Sequence, residues 1–86
     1  MSKPTTVRLE LNNSGAWKLL ARFDASNADD RIDVLTCAER LVDALASAGA
    51  AGITLRVATD EAMPRRLTTF ERARGWYPKS PAELLR

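Results

Sequence analysis

Two alternating segments joined by a short polar turn constrain the fold of this chain more than any other feature. In residues 5–11, TTVRLEL, the apolar Val7, Leu9 and Leu11 alternate with polar residues, and residues 16–24, AWKLLARFD, alternate in a similar way. A period of two is typical of a half-buried β-strand. The intervening Asn-Asn-Ser-Gly is typical of a turn, so these segments predict a β-hairpin.

The alternation also predicts which hairpin side chains face the core. Opposed residues of paired strands share a face, so Leu9 should lie opposite Leu19 or Trp17, and we prefer Leu19, which leaves a five-residue loop at residues 12–16. That register places Glu10 opposite Lys18, which is a favourable cross-strand ion pair. It turns the larger apolar residues of the second strand towards the core, with Trp17 as an anchor. The residues assigned to this face are Trp17, Leu19, Ala21 and Phe23.

A long amphipathic helix is predicted at residues 26–49. Ser26 and Asp29 form a capping-box pattern at its start, and Gly49 is typical of a helix end. Apolar residues recur at three- and four-residue spacing, as on one face of a helix. They are Val34, Ala38, Leu41, Leu45 and Ala48, flanked by Leu35 and Val42. Residues 53–59, ITLRVAT, alternate again and predict a third strand.

Residues 61–74 fit two patterns. As a helix, the segment would be capped by Asp60 at its start and by Gly75 after its end. As a strand, it would make use of the β-branched Thr68 and Thr69. We predict a helix, because both ends of the segment carry helix signals.

Together these elements predict a single α+β domain spanning residues 1–86. The expected order is β-hairpin, long helix, third strand and short C-terminal helix (ββαβα), and residues 80–86 begin like a further short capped helix. The long helix is expected to pack on one face of a three-stranded, largely antiparallel sheet. A chain of 86 residues can bury a modest core without a metal or a disulfide.

Composition narrows the function classes. The chain has no histidine and one cysteine, Cys37, so histidine-assisted catalysis and an internal disulfide are both excluded. A lone cysteine and the lack of a long apolar segment lead us to expect a cytoplasmic protein without a membrane span. The carboxylates between Asp29 and Asp43 suit helix capping and solvation, so we expect no catalytic residue, metal or cofactor. An enzyme or enzyme subunit is the third-ranked function.

The net charge of +2 is unevenly distributed. Residues 1–60 hold seven Lys or Arg and eight Asp or Glu, whereas residues 61–86 hold six and three. Ten of the thirteen basic residues are arginine and alanine is frequent, which is typical of a small protein from a GC-rich bacterium or phage. Because basic residues outnumber acidic residues in residues 61–86, this end of the chain is a candidate contact surface for an acidic partner.

The leading functional prediction is a small non-catalytic interaction or regulatory module. It would bind another protein or a second copy of itself through a sheet edge or the basic C-terminal segment. The alternative is a nucleic-acid-binding domain that uses C-terminal bases. The candidate contacts in that segment are Arg65, Arg66, Arg72, Arg74, Lys79, Trp76 and Tyr77, and those on the predicted open sheet face are Arg8, Lys18, Arg22 and Arg56.

The conformation of residues 61–74 separates these two functions. On a helix, the arginines would not form one stripe, and Trp76 and Tyr77 would fold back to close the core. On a strand, Phe70 and Trp76 would share a face with arginines and form a platform for single-stranded nucleic acid. Those arginines are Arg66, Arg72 and Arg74. The predicted helix therefore favours protein interaction.

Overall fold

The computed structural model describes residues 5–13 and 15–84 and contains a five-stranded antiparallel sheet with one long helix. The elements are β1 (Thr6–Asn12), β2 (Trp17–Asp24), α1 (Ala28–Ser47), β3 (Thr54–Thr59), β4 (Arg66–Glu71), β5 (Gly75–Tyr77) and a 3-10 helix (Pro81–Glu83). The strand order is β2-β1-β3-β4-β5, with every neighbouring pair antiparallel. The predicted α+β class is confirmed, but the three-stranded ββαβα order is wrong because two further strands extend the sheet.

The two additional strands replace the helix predicted at residues 61–74. β4 pairs with β3, and β5 folds back onto β4 after a turn that ends at Gly75, where φ is +72°. Thr68 and Thr69 are buried in the sheet, and the Thr68 hydroxyl donates to the carbonyl of Lys79. Their β-branched side chains suit a pleated surface, and pairing with β3 outweighs the helix-capping signals.

A β-bulge in β2 changes the predicted hairpin register. Leu9 pairs with Ala21 and Glu10 pairs with Leu19, so Leu20 has no opposed residue. One extra residue reverses the alternation for the rest of the strand. The predicted pairs of Leu9 with Leu19 and of Glu10 with Lys18 are therefore wrong. Trp17 pairs with Asn12 on the sheet face away from α1, and the prediction of Trp17 as a core anchor is also wrong.

The core lies between α1 and the other sheet face. α1 buries Leu35, Ala38 and Val42, whereas Leu41, placed centrally in the predicted stripe, is 39% exposed at its rim. The larger core side chains from the sheet are Val7, Leu9, Leu11, Phe23, Leu55, Val57 and Phe70, joined by Leu84 from the C-terminal segment. These alternate residues share one face because strand side chains point to opposite sides in turn.

The ends of α1 differ slightly from the prediction. Asn27 is the N-cap, and its side chain accepts a hydrogen bond from the Asp30 N–H at 3.1 Å. Ser26 instead donates its hydroxyl to Asp24 at 2.6 Å, so the predicted Ser26 cap is wrong. At the other end, Gly49 has a φ of +100°, the left-handed conformation that favours glycine after a helix.

The C-terminal segment contacts α1 and contributes Leu84 to the core. The helix predicted at residues 80–86 is realised as the 3-10 helix, with the Ser80 hydroxyl donating to Glu83 at 2.8 Å, while residues 85–86 lie outside the described part. Among the described residues, no helix is long and apolar enough to cross a membrane.

Candidate interaction surfaces

An apolar notch lies between α1 and the edge strand β2. It has a volume of about 360 Å³. Its lining residues are Leu9, Ala21, Asp33, Val34, Cys37, Ala38 and Leu41. Ala21 is the lining residue that β2 supplies, because the bulge turns Leu19 and Trp17 to the other face. A small side chain therefore lies beneath a helix flank that carries larger apolar groups.

β2 is also an edge of the sheet. It has eight residues and stands at one end of the strand order, so one side of it pairs with β1 and the other side is the edge. Leu19 and Leu20 are 44% and 42% exposed along it. An edge strand presents backbone N–H and C=O groups to another chain. The notch and this edge adjoin each other, so an added strand would contact both.

The opposite flank of α1 is closed by side chains from the other end of the sheet. Trp76 of β5 donates its indole N–H to the Glu39 carboxylate at 2.8 Å, and its ring lies 5.1 Å from that of Phe70, centroid to centroid. Arg72 and Asp43 form an exposed ion pair with 2.9 Å between Nε and Oδ1. These contacts place Trp76 and Arg72 on the helix side of the sheet.

We call the sheet surface on the side away from α1 the open face. A row of arginines crosses it. Arg22 on β2 pairs with Arg8 on β1, and Arg8 also pairs with Ala58 on β3. Ala58 pairs with Arg66 on β4, so three arginines and one alanine lie side by side across four strands. We call this set the arginine row. Directly opposed like charges repel each other in a sheet. Asp60 relieves that repulsion between Arg8 and Arg22.

Asp60 is shared by two guanidinium groups. One carboxylate oxygen of Asp60 accepts from the Nε of Arg8 at 2.8 Å and from the Nε of Arg22 at 3.1 Å. The hydrogen bond from Arg8, followed by that from Arg22, lowers the pKa of Asp60 below its ordinary value of 3.8. The ionised carboxylate is therefore favoured in the fold, and its contribution to stability is lost as the pH falls through this lowered pKa.

The second cluster on the open face contains Trp17. The Arg56 guanidinium lies 4.3 Å from the centroid of the Trp17 ring and donates its Nε–H to Glu10 at 2.6 Å. Glu10 is 5% exposed, so its charge is balanced by Arg56 at close range. Trp17 itself is half-buried. The arginine therefore holds one side of an indole that is partly accessible to solvent.

A third cluster lies towards the other edge. Tyr77 pairs with Thr69, which pairs with Arg56, so Tyr77 shares the open face. The Arg74 guanidinium lies 4.0 Å from its ring centroid. A hydrogen bond to Glu71 raises the pKa of the Tyr77 hydroxyl, which favours the neutral, donating phenol.

The structure separates the sequence-predicted contact residues into several places. Arg8, Arg22 and Arg56 lie on the open face. Lys18 pairs with the core residue Leu11 because of the bulge, so it lies on the helix side and its assignment to the open face is wrong. Arg66 joins the open face, where its Nη1 donates to the Thr69 hydroxyl at 3.1 Å.

The platform expected if residues 61–74 formed a strand is absent from the described part of the chain. Phe70 and Trp76 lie on the helix side, away from Arg66. Arg65 precedes β4, with its backbone N–H bonded to the Thr59 hydroxyl, and Lys79 follows β5.

Two important residues were missed from the sequence. Trp17 was assigned to the core, although the leucine pair Leu19-Leu20 interrupts the apolar-polar alternation at the site of the bulge. Asp60 was interpreted as a helix cap. No local pattern connects it to Arg8, which is 52 residues away in sequence.

No protein-family model, curated protein or solved structure matches the chain. Within residues 5–13 and 15–84, no three His, Cys, Asp or Glu side chains are grouped so that they could hold a metal ion.

Proposed function

We propose that this chain is a small non-catalytic interaction module that binds an extended segment of another protein along β2. The observation that carries the proposal is the junction of an open strand edge with the apolar notch. Backbone hydrogen bonds to an edge strand supply affinity, and a pocket for alternate side chains supplies specificity.

The geometry defines the chemistry of the bound segment. A strand added to β2 would direct alternate side chains towards α1, where Val34, Cys37 and Leu41 form the apolar side of the notch. Its remaining side chains would lie on the open-face side, next to Leu19 and Arg22. The favoured segment therefore has apolar residues at alternate positions, with an acidic residue near Arg22.

A partner segment suits this edge better than a second copy of the chain. Each copy would bring the same bulge at Leu20, and a bulge disrupts a regular ladder. Two-fold pairing centred on Leu20 would also place Lys18 opposite Arg22, a repulsive pair. A flexible segment avoids both problems because its backbone adapts to the edge.

The test is a selection from a library of random peptides displayed on phage, followed by binding measurements on the selected peptides. We expect peptides with alternating apolar residues, and we expect Leu41→Asp to weaken their binding by at least about tenfold, since it places a charge in the notch. Ala44→Asp is the matched control, because Ala44 is an exposed α1 residue that does not line the notch.

Cys37 supplies an independent measurement on the unmodified protein. It is exposed and lines the notch, so a bound peptide should slow its reaction with a thiol reagent. Selected peptides that tolerate Leu41→Asp and leave Cys37 reactive would contradict the proposal. A concentration-dependent dimer in sedimentation that Leu41→Asp abolishes would show that a second copy occupies the notch instead.

A further inference from the structure

We propose that the open face is a second binding surface, which takes single-stranded nucleic acid. The proposal rests on the arginine row and on two aromatic side chains that share its face, and it does not depend on the notch. The notch lies on the helix side of the sheet and the arginine row lies on the open face, and the two proposals share Arg22 at the β2 edge.

The positive charge of the open face is concentrated in one row. The row contains Arg22, Arg8 and Arg66, and Asp60 is the carboxylate bonded to it, which leaves an excess of two positive charges. Elsewhere on this face, Arg56 and Arg74 are accompanied by three carboxylates, those of Glu10, Asp24 and Glu71. Polyanion binding is therefore expected along the row and not over the whole face.

The length of the row suits a nucleic-acid backbone. It crosses four adjacent strands, β2, β1, β3 and β4. With neighbouring strands about 4.8 Å apart, its ends are separated by roughly 14 Å, enough for successive phosphates to contact different arginines. The Nε groups of Arg8 and Arg22 bond to Asp60, and each guanidinium also has Nη donors with which to contact a phosphate.

The aromatic side chains stand where bases would reach. Open-face residues of β1 mark the distances. Arg8 belongs to the arginine row. Two residues further along, Glu10 lies in the same cross-strand row as Tyr77, and two residues beyond that, Asn12 pairs with Trp17. At about 3.4 Å per residue, the Tyr77 row is roughly 7 Å from the arginines and Trp17 is roughly 14 Å away along the strands. A backbone held by the arginines can therefore direct its bases towards Tyr77 and Trp17.

This arrangement favours single strands over duplexes. Bases stack on aromatic side chains only when their faces are free, and stacking tolerates many sequences. Arg56 and Arg74 already lie against the Trp17 and Tyr77 rings, so each cluster offers a guanidinium as well as an aromatic surface. In the described part of the chain, the open face is formed by a five-stranded sheet and not by a helix or a two-stranded ribbon, the elements that fit the major groove of a duplex.

Binding is tested by fluorescence anisotropy with labelled oligothymidylate of about a dozen nucleotides and with a duplex of equal length, at about 50 and 150 mM salt. The double variant Arg22→Gln/Arg66→Gln removes charge from the row. The control Arg40→Gln/Arg72→Gln removes the same charge from exposed residues on the helix side. We expect the row variant to weaken single-strand binding at least about tenfold and to lower the salt slope by about 1.4, and the control to change binding less than about threefold.

Trp17→Leu separates stacking from simple charge attraction, since it removes the indole without changing the charge. It should weaken single-strand binding by at least about fivefold. In the wild-type chain, added oligothymidylate should shift the NMR signals of Trp17 and Tyr77 and leave those of α1 unchanged, which tests the surface without any variant. Equal losses in the row and control variants, equal affinity for the duplex, or shifts confined to α1 would each overturn the proposal. Absence of binding at the lower salt would also overturn it, and would leave the notch proposal untouched.

Discussion

The two flanks of α1 differ in how the edge strands of the sheet meet them. On one flank, β5 turns Trp76 towards the helix, where the indole packs on Phe70 and donates to Glu39. On the other flank, β2 turns Trp17 away and presents Ala21, leaving the apolar notch. Both edge strands carry a tryptophan, and only one of them closes the helix flank.

The difference shows how a single backbone irregularity can change the sheet face on which a side chain lies. The bulge at Leu20 removes Trp17 from the helix side, which opens the notch, and places its indole on the open face beside Arg56. The bulge therefore contributes to both proposed binding surfaces, through the notch and through the position of Trp17.

The largest expected effect is the loss of the closing tryptophan. Trp76→Ala should lower the free energy of unfolding by about 2–4 kcal/mol, because it removes ring packing and leaves Glu39 without its indole donor. Trp17→Ala should lower it by about 1 kcal/mol, since Trp17 is half-buried and contacts Arg56 on the open face. Urea unfolding followed by circular dichroism measures both. A larger loss for Trp17→Ala than for Trp76→Ala would reverse the comparison of the two flanks.

A smaller effect is expected from filling the apolar notch between α1 and β2. Ala21→Leu should raise the free energy of unfolding by about 0.5–2 kcal/mol, because the added side chain enters an apolar notch. It should also slow the reaction of Cys37 with a thiol reagent. Ala44→Leu, on an exposed part of α1, is the control and should change neither quantity appreciably. If Ala21→Leu destabilises the fold or leaves Cys37 equally reactive, the notch is not open as described.

The hairpin, the long helix and the third strand were predictable because each depends on a local repeat. The same local rules failed at residues 61–74, where Asp60 and Gly75 resemble helix caps. The strand there depends on pairing with β3, and no local pattern contains that information. Thr68 and Thr69 are the local residues that favour the strand, because β-branched side chains suit a sheet.

The candidate sites were less predictable than the fold. Arg8, Arg22 and Arg56 could be placed on one face from the alternation, since the bulge lies beyond Arg22 on β2 and affects neither β1 nor β3. Trp17 lies on the far side of the bulge, so the same alternation assigned it to the wrong face. A bulge depends on the pairing of two strands, and the local sign of it in the sequence is Leu20, an apolar residue that interrupts the alternation.

The smallest expected effect concerns the ion pair on the closed flank. Arg72 and Asp43 are 58% and 62% exposed, so water and salt screen their attraction. A double-mutant cycle with Arg72→Ala and Asp43→Ala should give a coupling of about 0.2–1 kcal/mol that decreases with added salt. A coupling as large as the effect of Trp76→Ala would mean that the ion pair, and not the indole, closes this flank.

Nuclear Overhauser contacts from the indole protons of Trp17 report directly on which face of the sheet this side chain lies. The structure predicts contacts with the side chains of Arg56 and Asn12. Contacts with Leu41 and Leu45 of α1 would contradict it, because they would place the indole in the notch and leave β2 without its bulge.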